Sequence, residues 1–203
     1  MKVEEVERDA VDDYLNRLVE TVERISRGEI WAVIEALYKA WQEGKRVYIC
    51  GNGGSAATAA HMASDLNKCI LVEGKPRMKA FALSDNVPLM TALSNDIGYQ
   101  NIFAEPLKNF LEPGDVVIFI SASGNSPNIL RGVELAHERQ AVTIGLTGDS
   151  GGKLSGMVEQ CVLIPDAFIG RQEDGHMILD HLIASVLGKV MLGEIEAPIQ
   201  DRP

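Results

Sequence analysis

The chain is 203 residues long and 46% hydrophobic, enough for a core that needs no covalent staples. Its formal net charge of −10 excludes the basic stripe of a nucleic-acid binder or of a protein drawn to an anionic membrane, and no uninterrupted apolar run reaches membrane-spanning length. An anionic ligand would have to be held locally, by backbone amides and hydroxyls.

In chain order, Val6, Val11, Tyr14, Leu15, Leu18, Val22 and Ile25 recur at helical spacing, predicting a helix over 5–26 that Gly28 ends. A second helix over about 30–43 places Trp31, Ile34, Leu37, Tyr38 and Trp41 on one side. The aromatic stripe of Trp31, Tyr38 and Trp41 is expected to pack against another subunit rather than only to cover the sheet. Short apolar strands follow at 46–50, 79–83, 115–120, 141–146 and 160–164, with room for a helix between successive ones. Parallel neighbours need such crossovers, so the pattern predicts an α/β fold, a three-layer αβα sandwich around a five-stranded parallel sheet preceded by two helices. It reads as one unit over 1–203, with 1–44 as an oligomer interface and 45–203 as the core.

Ligands of parallel sheets bind beyond the carboxyl ends of the strands. There the third strand runs into Ser121-Ala122-Ser123-Gly124-Asn125-Ser126, with Ser126 as a helix N-cap and Pro127 as the first helical residue. Hydroxyls and first-turn amides would converge on one anion. The first strand runs into Gly51-Asn52-Gly53-Gly54-Ser55, a glycine turn that lets backbone approach a ligand, with Ser55 placed to cap the next helix. Either loop alone is an ordinary turn; two of them at strand ends point to a phosphate-bearing ligand. Cys50, Cys69 and Cys161 are odd in number and form no CxxC, which fits buried thiols in a reducing compartment. Met1-Lys2-Val3-Glu4-Glu5 lacks a basic-then-apolar leader pattern, so a cytoplasmic location is expected.

Gly51 to Ser55, Ser94-Asn95-Asp96, Ser121 to Ser126 and Leu146-Thr147-Gly148-Asp149-Ser150-Gly151-Gly152 resemble, in order and spacing, the sugar isomerase (SIS) fold in its phosphoheptose isomerase branch. The resemblance covers essentially the whole chain, including a closing helix with Glu173 to His181. It implies a flavodoxin-like sheet and conversion of sedoheptulose 7-phosphate to D-glycero-D-manno-heptose 7-phosphate through an enediol. It also implies phosphate on Ser121, Ser123 and Ser126 with Ala122 in the loop, and substrate contacts from Asn52, Gly53, Gly54, Ser55, Asn95, Asp96 and Glu173. A homotetramer with active sites between subunits is implied as well.

Such a proton shift needs a base, an acid and a stabilised oxyanion. His61 and Asp65 lie four apart on one helix face, and Glu173 and His181 eight apart on another. Together these four match a divalent metal site in the branch, where zinc is the usual assignment, and Asp65, Glu173 and His181 are the candidate catalytic groups. Two positions depart from the branch, which has glutamate in place of Asp65 and glutamine in place of Glu173. Aspartate reaches about 1.5 Å less far, so Glu173 is expected to move the proton while Asp65 holds metal or orients His61. Residues eight apart are separated by about 12 Å along an ideal helix, so joint ligation by Glu173 and His181 requires leaning side chains or a bend near Gly175. His176 is expected to be structural, and His137 to have no role. The alternatives are a non-catalytic SIS module that senses a sugar phosphate or binds a partner, and an isomerase of another phosphosugar.

Overall fold

The computed structural model describes residues 2–68 and 70–196, with side chains from residue 9, so Cys69 and the side chain of Val6 lie outside the described residues. Two helices lead, α1 (Lys2–Arg24) and α2 (Arg27–Gln42). Then come β1 (Val47–Gly51), α3 (Gly54–Lys68), β2 (Ala80–Ala82), α4 (Val87–Ile97) and α5 (Ala104–Phe110). The chain closes with β3 (Val116–Ser121), α6 (Pro127–Glu138), β4 (Val142–Thr147), β5 (Gln160–Leu163) and the long α7 (Ile169–Leu192). Gly28 does not end α1; the break comes at Ser26, whose hydroxyl accepts from the Glu29 N–H and caps α2, leaving Gly28 in the first turn of the second helix.

All strand pairings are parallel, in the order β2-β1-β3-β4-β5. Strand order reverses between β1 and β3, which pair from Val47 with Val116 to Gly51 with Ile120. The glycine loop and the serine loop therefore flank the topological switch point, where a crevice opens in sheets of this kind. The central strands β1 and β3 are buried along their whole length, as covered parallel strands are.

One face of the sheet, with Val47, Ile49, Val116, Ile118 and Ile120, packs under α2, α3 and α7; the other, with Tyr48, Cys50, Val117 and Phe119, packs under α5 and α6. On α2, Val33, Ile34 and Leu37 have essentially no exposure, each contributing about 1.5–3 kcal/mol of burial. Trp31, Tyr38 and Trp41 pack against this same core, and the Trp41 indole N–H donates to the Pro76 carbonyl at 2.8 Å. The aromatic stripe thus packs on its own core along one side and stays half-exposed on the other. Among the exposed apolar residues, Val11, Leu15 and Val19 on α1 recur every four residues at 59%, 53% and 59% exposure.

Polar contacts tie α1 to the start of α7. The Tyr14 hydroxyl donates to Asp174 at 2.6 Å, and the Thr21 hydroxyl donates to Asp166 at 2.6 Å. Arg171 grips the same Asp166 with Nε at 2.6 Å and Nη2 at 2.9 Å, holding that carboxyl far below the usual carboxylate range. Arg171 is therefore an internal fastener. By length and composition α7 could cross a membrane, but half of its most apolar stretch is buried against the rest of the protein, as in a core helix.

Candidate active site

The serine loop is held by its backbone and by Asn125, whose Oδ1 accepts from the Lys153 N–H at 3.2 Å and whose Nδ2 donates to the Ser123 carbonyl at 2.8 Å. Gly124 has φ +60°, and a Cβ there would overlap the Gly151 carbonyl; the Leu154 N–H reaches the Gly124 carbonyl at 3.0 Å. Ser126 takes the N-cap backbone conformation and Pro127 follows, but the Ser126 hydroxyl makes no cap bond. It lies 3.4 Å from the Ser121 hydroxyl instead, while Ser123 stands exposed and accepts from the Asn125 N–H. The first-turn amides contribute less than expected, since Pro127 has none and the Ile129 N–H is taken by Asn128 Oδ1 at 3.0 Å. An anion here would rest chiefly on the hydroxyls of Ser121, Ser123 and Ser126.

The glycine loop faces it. Gly53 has φ +56°, and α3 begins at Gly54, so Ser55 is not the cap but a buried first-turn residue whose N–H donates to the Asn52 carbonyl at 3.0 Å. Asn52 and Asn128 exchange side-chain hydrogen bonds at 2.9 and 2.8 Å, and the Tyr99 hydroxyl also donates to Asn52 at 2.8 Å. This amide pair joins the two loops. Neither Asn128 nor Tyr99 carries a sequence signal beyond a helix-start amide, because the pairing spans 76 residues. Asn95 and Asp96 lie in the last turn of α4, exposed and bonded to each other at 2.9 Å, not in a loop.

Helices α3 and α7 run side by side in the same direction. At their start, a Cβ on Gly54 would sit 2.7 Å from Glu173 Oε1, so the glycine makes room for that carboxylate at the mouth of the glycine loop. Gln172 is turned away, buried, with its amide on the Asp166 carbonyl and against Gly148, which leaves Glu173 to face α3. α7 runs unbroken through Gly175, where a Cβ would meet Ile164 at 2.7 Å, so this glycine serves close packing against Ile164.

Two turns further along, His61, Asp65 and His181 come together. The two Nε2 atoms are 3.2 Å apart, and His61 Nε2 is 3.6 Å from Asp65 Oδ2. Their fourth neighbour is Asp180, with one donor atom from each of the four within 4.8 Å of the others. Among the described residues Glu173 is absent from this group, for the reason its spacing suggests: two helical turns separate it from His181. Asp180 has no solvent exposure, and neither of its oxygens has a hydrogen-bond partner. Burial pushes its pKa up to about 6 against the pull of the neighbouring imidazoles. Beside the cluster an open depression of about 360 Å³ is lined by Asp65, His181, Ser185 and Lys189.

Converging imidazoles and an orphaned buried carboxylate fit a divalent cation, so this group could hold a metal ion. His176 takes no part. It is fully buried, its Nε2–H bonds the Thr147 carbonyl at 3.1 Å, and burial lowers its pKa to about 4. His137 is exposed and only meets Thr143 Oγ1 at 3.3 Å. Burial pushes the Cys50 thiol far above the ordinary range and also raises that of the half-buried Cys161, which disfavours the reactive thiolate at both.

A parallel sheet with two hydroxyl- and glycine-rich loops at its switch point, above a set of imidazoles and carboxylates, defines an α/β phosphosugar domain. The SIS domain family matches residues 12–148. A phosphoheptose isomerase of Geotalea daltonii is 34% identical over 178 residues, covering 88% of this chain and 92% of that one. The solved phosphoheptose isomerases of Neisseria gonorrhoeae and Francisella tularensis, each 28% identical over 90% of this chain, superpose with TM-scores of 0.83 and 0.84 and are covered over 99% and 98% of their lengths. The chain belongs to the SIS domain family and, within it, to the phosphoheptose isomerase branch.

Proposed function

We propose that this protein interconverts sedoheptulose 7-phosphate and D-glycero-D-manno-heptose 7-phosphate. The observation that carries the reading is the Glu173 carboxylate seated against Gly54, between the phosphate-type loops and the imidazole pair. The Ser121, Ser123 and Ser126 hydroxyls hold the phosphate, while Asn52 and the Gly53-Gly54 turn receive the carbon chain near its carbonyl end. Ser55, Ala122, Asn95 and Asp96 complete the walls. In the ketose-to-aldose direction, Glu173 takes a proton from C1 as O2 gains one, forming the enediol. The proton then returns to C2 as O1 loses its own, which leaves the C1 aldehyde.

Where no ion is bound, His181, with Asp65 beside it, would serve the two oxygens as acid and base. A divalent ion held by His61, Asp65 and His181 would instead supply Lewis-acid polarisation of those oxygens, and zinc is the assignment the branch suggests. The exposure of His61 and His181 and the bare stripe of Val11, Leu15 and Val19 support a homotetramer in which a neighbouring subunit closes each site. A cytoplasmic location suits the free, reduced thiols of Cys50 and Cys161.

The deciding experiment incubates the purified protein with sedoheptulose 7-phosphate and resolves the aldose product. Turnover is expected, and Glu173→Gln is expected to cut kcat by 10²-fold or more, of the order one general base supplies. Binding without any turnover would instead identify a sugar-phosphate sensor. Sedimentation is expected to show an assembly at micromolar concentration; a stable monomer would remove the shared site.

A further inference from the structure

We propose that Asp180 is the anchoring carboxylate of the cation site that His61, Asp65 and His181 complete, and that Glu173 stands outside it. The role left to Glu173 rests on the isomerase reading above; the assignment of Asp180 does not.

A group of acidic side chains alone would not make a site. Here a second observation points the same way: Asp180 is fully buried, neither oxygen has a partner, and it lies against both imidazoles and Asp65. An ionised carboxylate is not kept in such a place without a counter-charge. The imidazoles add to this by position: their Nε2 atoms share one hydrogen bond at 3.2 Å, so two nitrogen ligands already stand side by side next to the carboxylates. Two carboxylates and two neutral imidazoles carry a charge of about −2, which a divalent ion cancels, and the donor types are those that such ions take.

Helix geometry explains why Asp180 takes the position and Glu173 does not. Adjacent residues project about 100° apart, so His181 at the rim places Asp180 on the buried side of α7, towards His61 and Asp65 on α3. Glu173 lies about 12 Å up the axis, and side chains lean towards a helix N-terminus, which carries its carboxylate away from the imidazoles and onto Gly54. The chain therefore places one carboxylate low, for the ion, and one high, for the substrate. A single residue at position 173 could not serve both.

The test uses the full chain stripped with EDTA and then given Zn²⁺ or Co²⁺, in wild type, Asp180→Asn and Glu173→Gln. Without metal, Asp180→Asn is expected to unfold at a higher temperature than wild type, because the uncompensated charge is gone. With Zn²⁺ the order reverses, and Asp180→Asn binds at least tenfold more weakly by chelator competition, while Glu173→Gln binds as wild type. The visible spectrum of bound Co²⁺ changes in Asp180→Asn and not in Glu173→Gln. Should Asp180→Asn fold poorly, Asp180→Glu is expected to weaken Zn²⁺ tenfold and Glu173→Asp to leave it unchanged.

Wild-type Zn²⁺ affinity in Asp180→Asn, or loss of the ion in Glu173→Gln, would overturn the assignment. Sound binding through Asp180 in a wild-type protein without turnover would sink the isomerase reading instead and leave Asp180 in place.

Discussion

The two ends of the α3–α7 pair are built on opposite terms. At the upper end polar groups satisfy one another: Asn52 with Asn128 and Tyr99, Ser121 with Ser126, and the Gly124 loop clamped on its neighbour by main chain. At the lower end one group is left over: His61 meets both His181 and Asp65, but Asp180 has no hydrogen-bond partner. A satisfied, rigid end is what binding requires, and it would look the same in a relative that only senses a sugar phosphate. Polar groups left in need are costly to keep, so the lower end carries the information about chemistry.

That contrast can be broken most sharply at His181. His181→Ala is expected to lower kcat by about 10²–10⁴-fold while KM stays within a few-fold, by steady-state kinetics with sedoheptulose 7-phosphate. A rise in KM with kcat intact would show that the two ends do not divide the work. Next in size is Gly124→Ala, which combines an unfavourable φ with overlap on the Gly151 carbonyl. It should raise KM by about 10²-fold and lower the unfolding temperature, since strain of this kind costs roughly 1–3 kcal/mol. Ser121→Ala and Ser123→Ala, by contrast, should each raise KM by about tenfold with kcat unchanged, the size of one charge-assisted hydrogen bond.

The smallest effect concerns stability and pH. His176 is held neutral, with its pKa lowered to about 4 from an ordinary 6.5. Its contribution is complete above 6.5 and is lost as pH falls towards 4, on the order of 3 kcal/mol in all. Asp180 works the other way in metal-free protein: raised to about 6 from 3.8, its contribution is full below 3.8 and is lost as pH rises through 6. The two offset each other between pH 4 and 6. Urea unfolding across that range should give a flat profile for EDTA-treated wild type and a clear acid-side loss for Asp180→Asn. The same slope in both proteins would show that the buried carboxylate is already compensated.

Much of the fold was legible because its signals are local. Apolar runs marked all five strands to within a residue or two, and Pro127 marked the start of α6. The errors came where two local signals competed or where burial decided. Gly28 suggested a stop, but the Ser26 cap acted two residues earlier. The stripe of Trp31, Tyr38 and Trp41 packs on its own core along one side and stays half-exposed, and a second apolar row, Val11, Leu15 and Val19, stands exposed on α1.

By itself the sequence determined an α/β parallel sheet and two phosphate-type loops, because periodicity and turn chemistry are written along the chain; His61, Asp65, Glu173 and His181 became candidates through the resemblance to the phosphoheptose isomerase branch, not through their spacing. Tertiary structure alone decided that the loops meet at the switch point, that Asn128 and Tyr99 join them, and that Asp180 rather than Glu173 completes the lower cluster. The physical reason is that which face of α7 is buried depends on its packing against α3, not on the spacing of its own residues. A one-residue difference around a helix turns a side chain by about 100°, and only the neighbour shows which way that points.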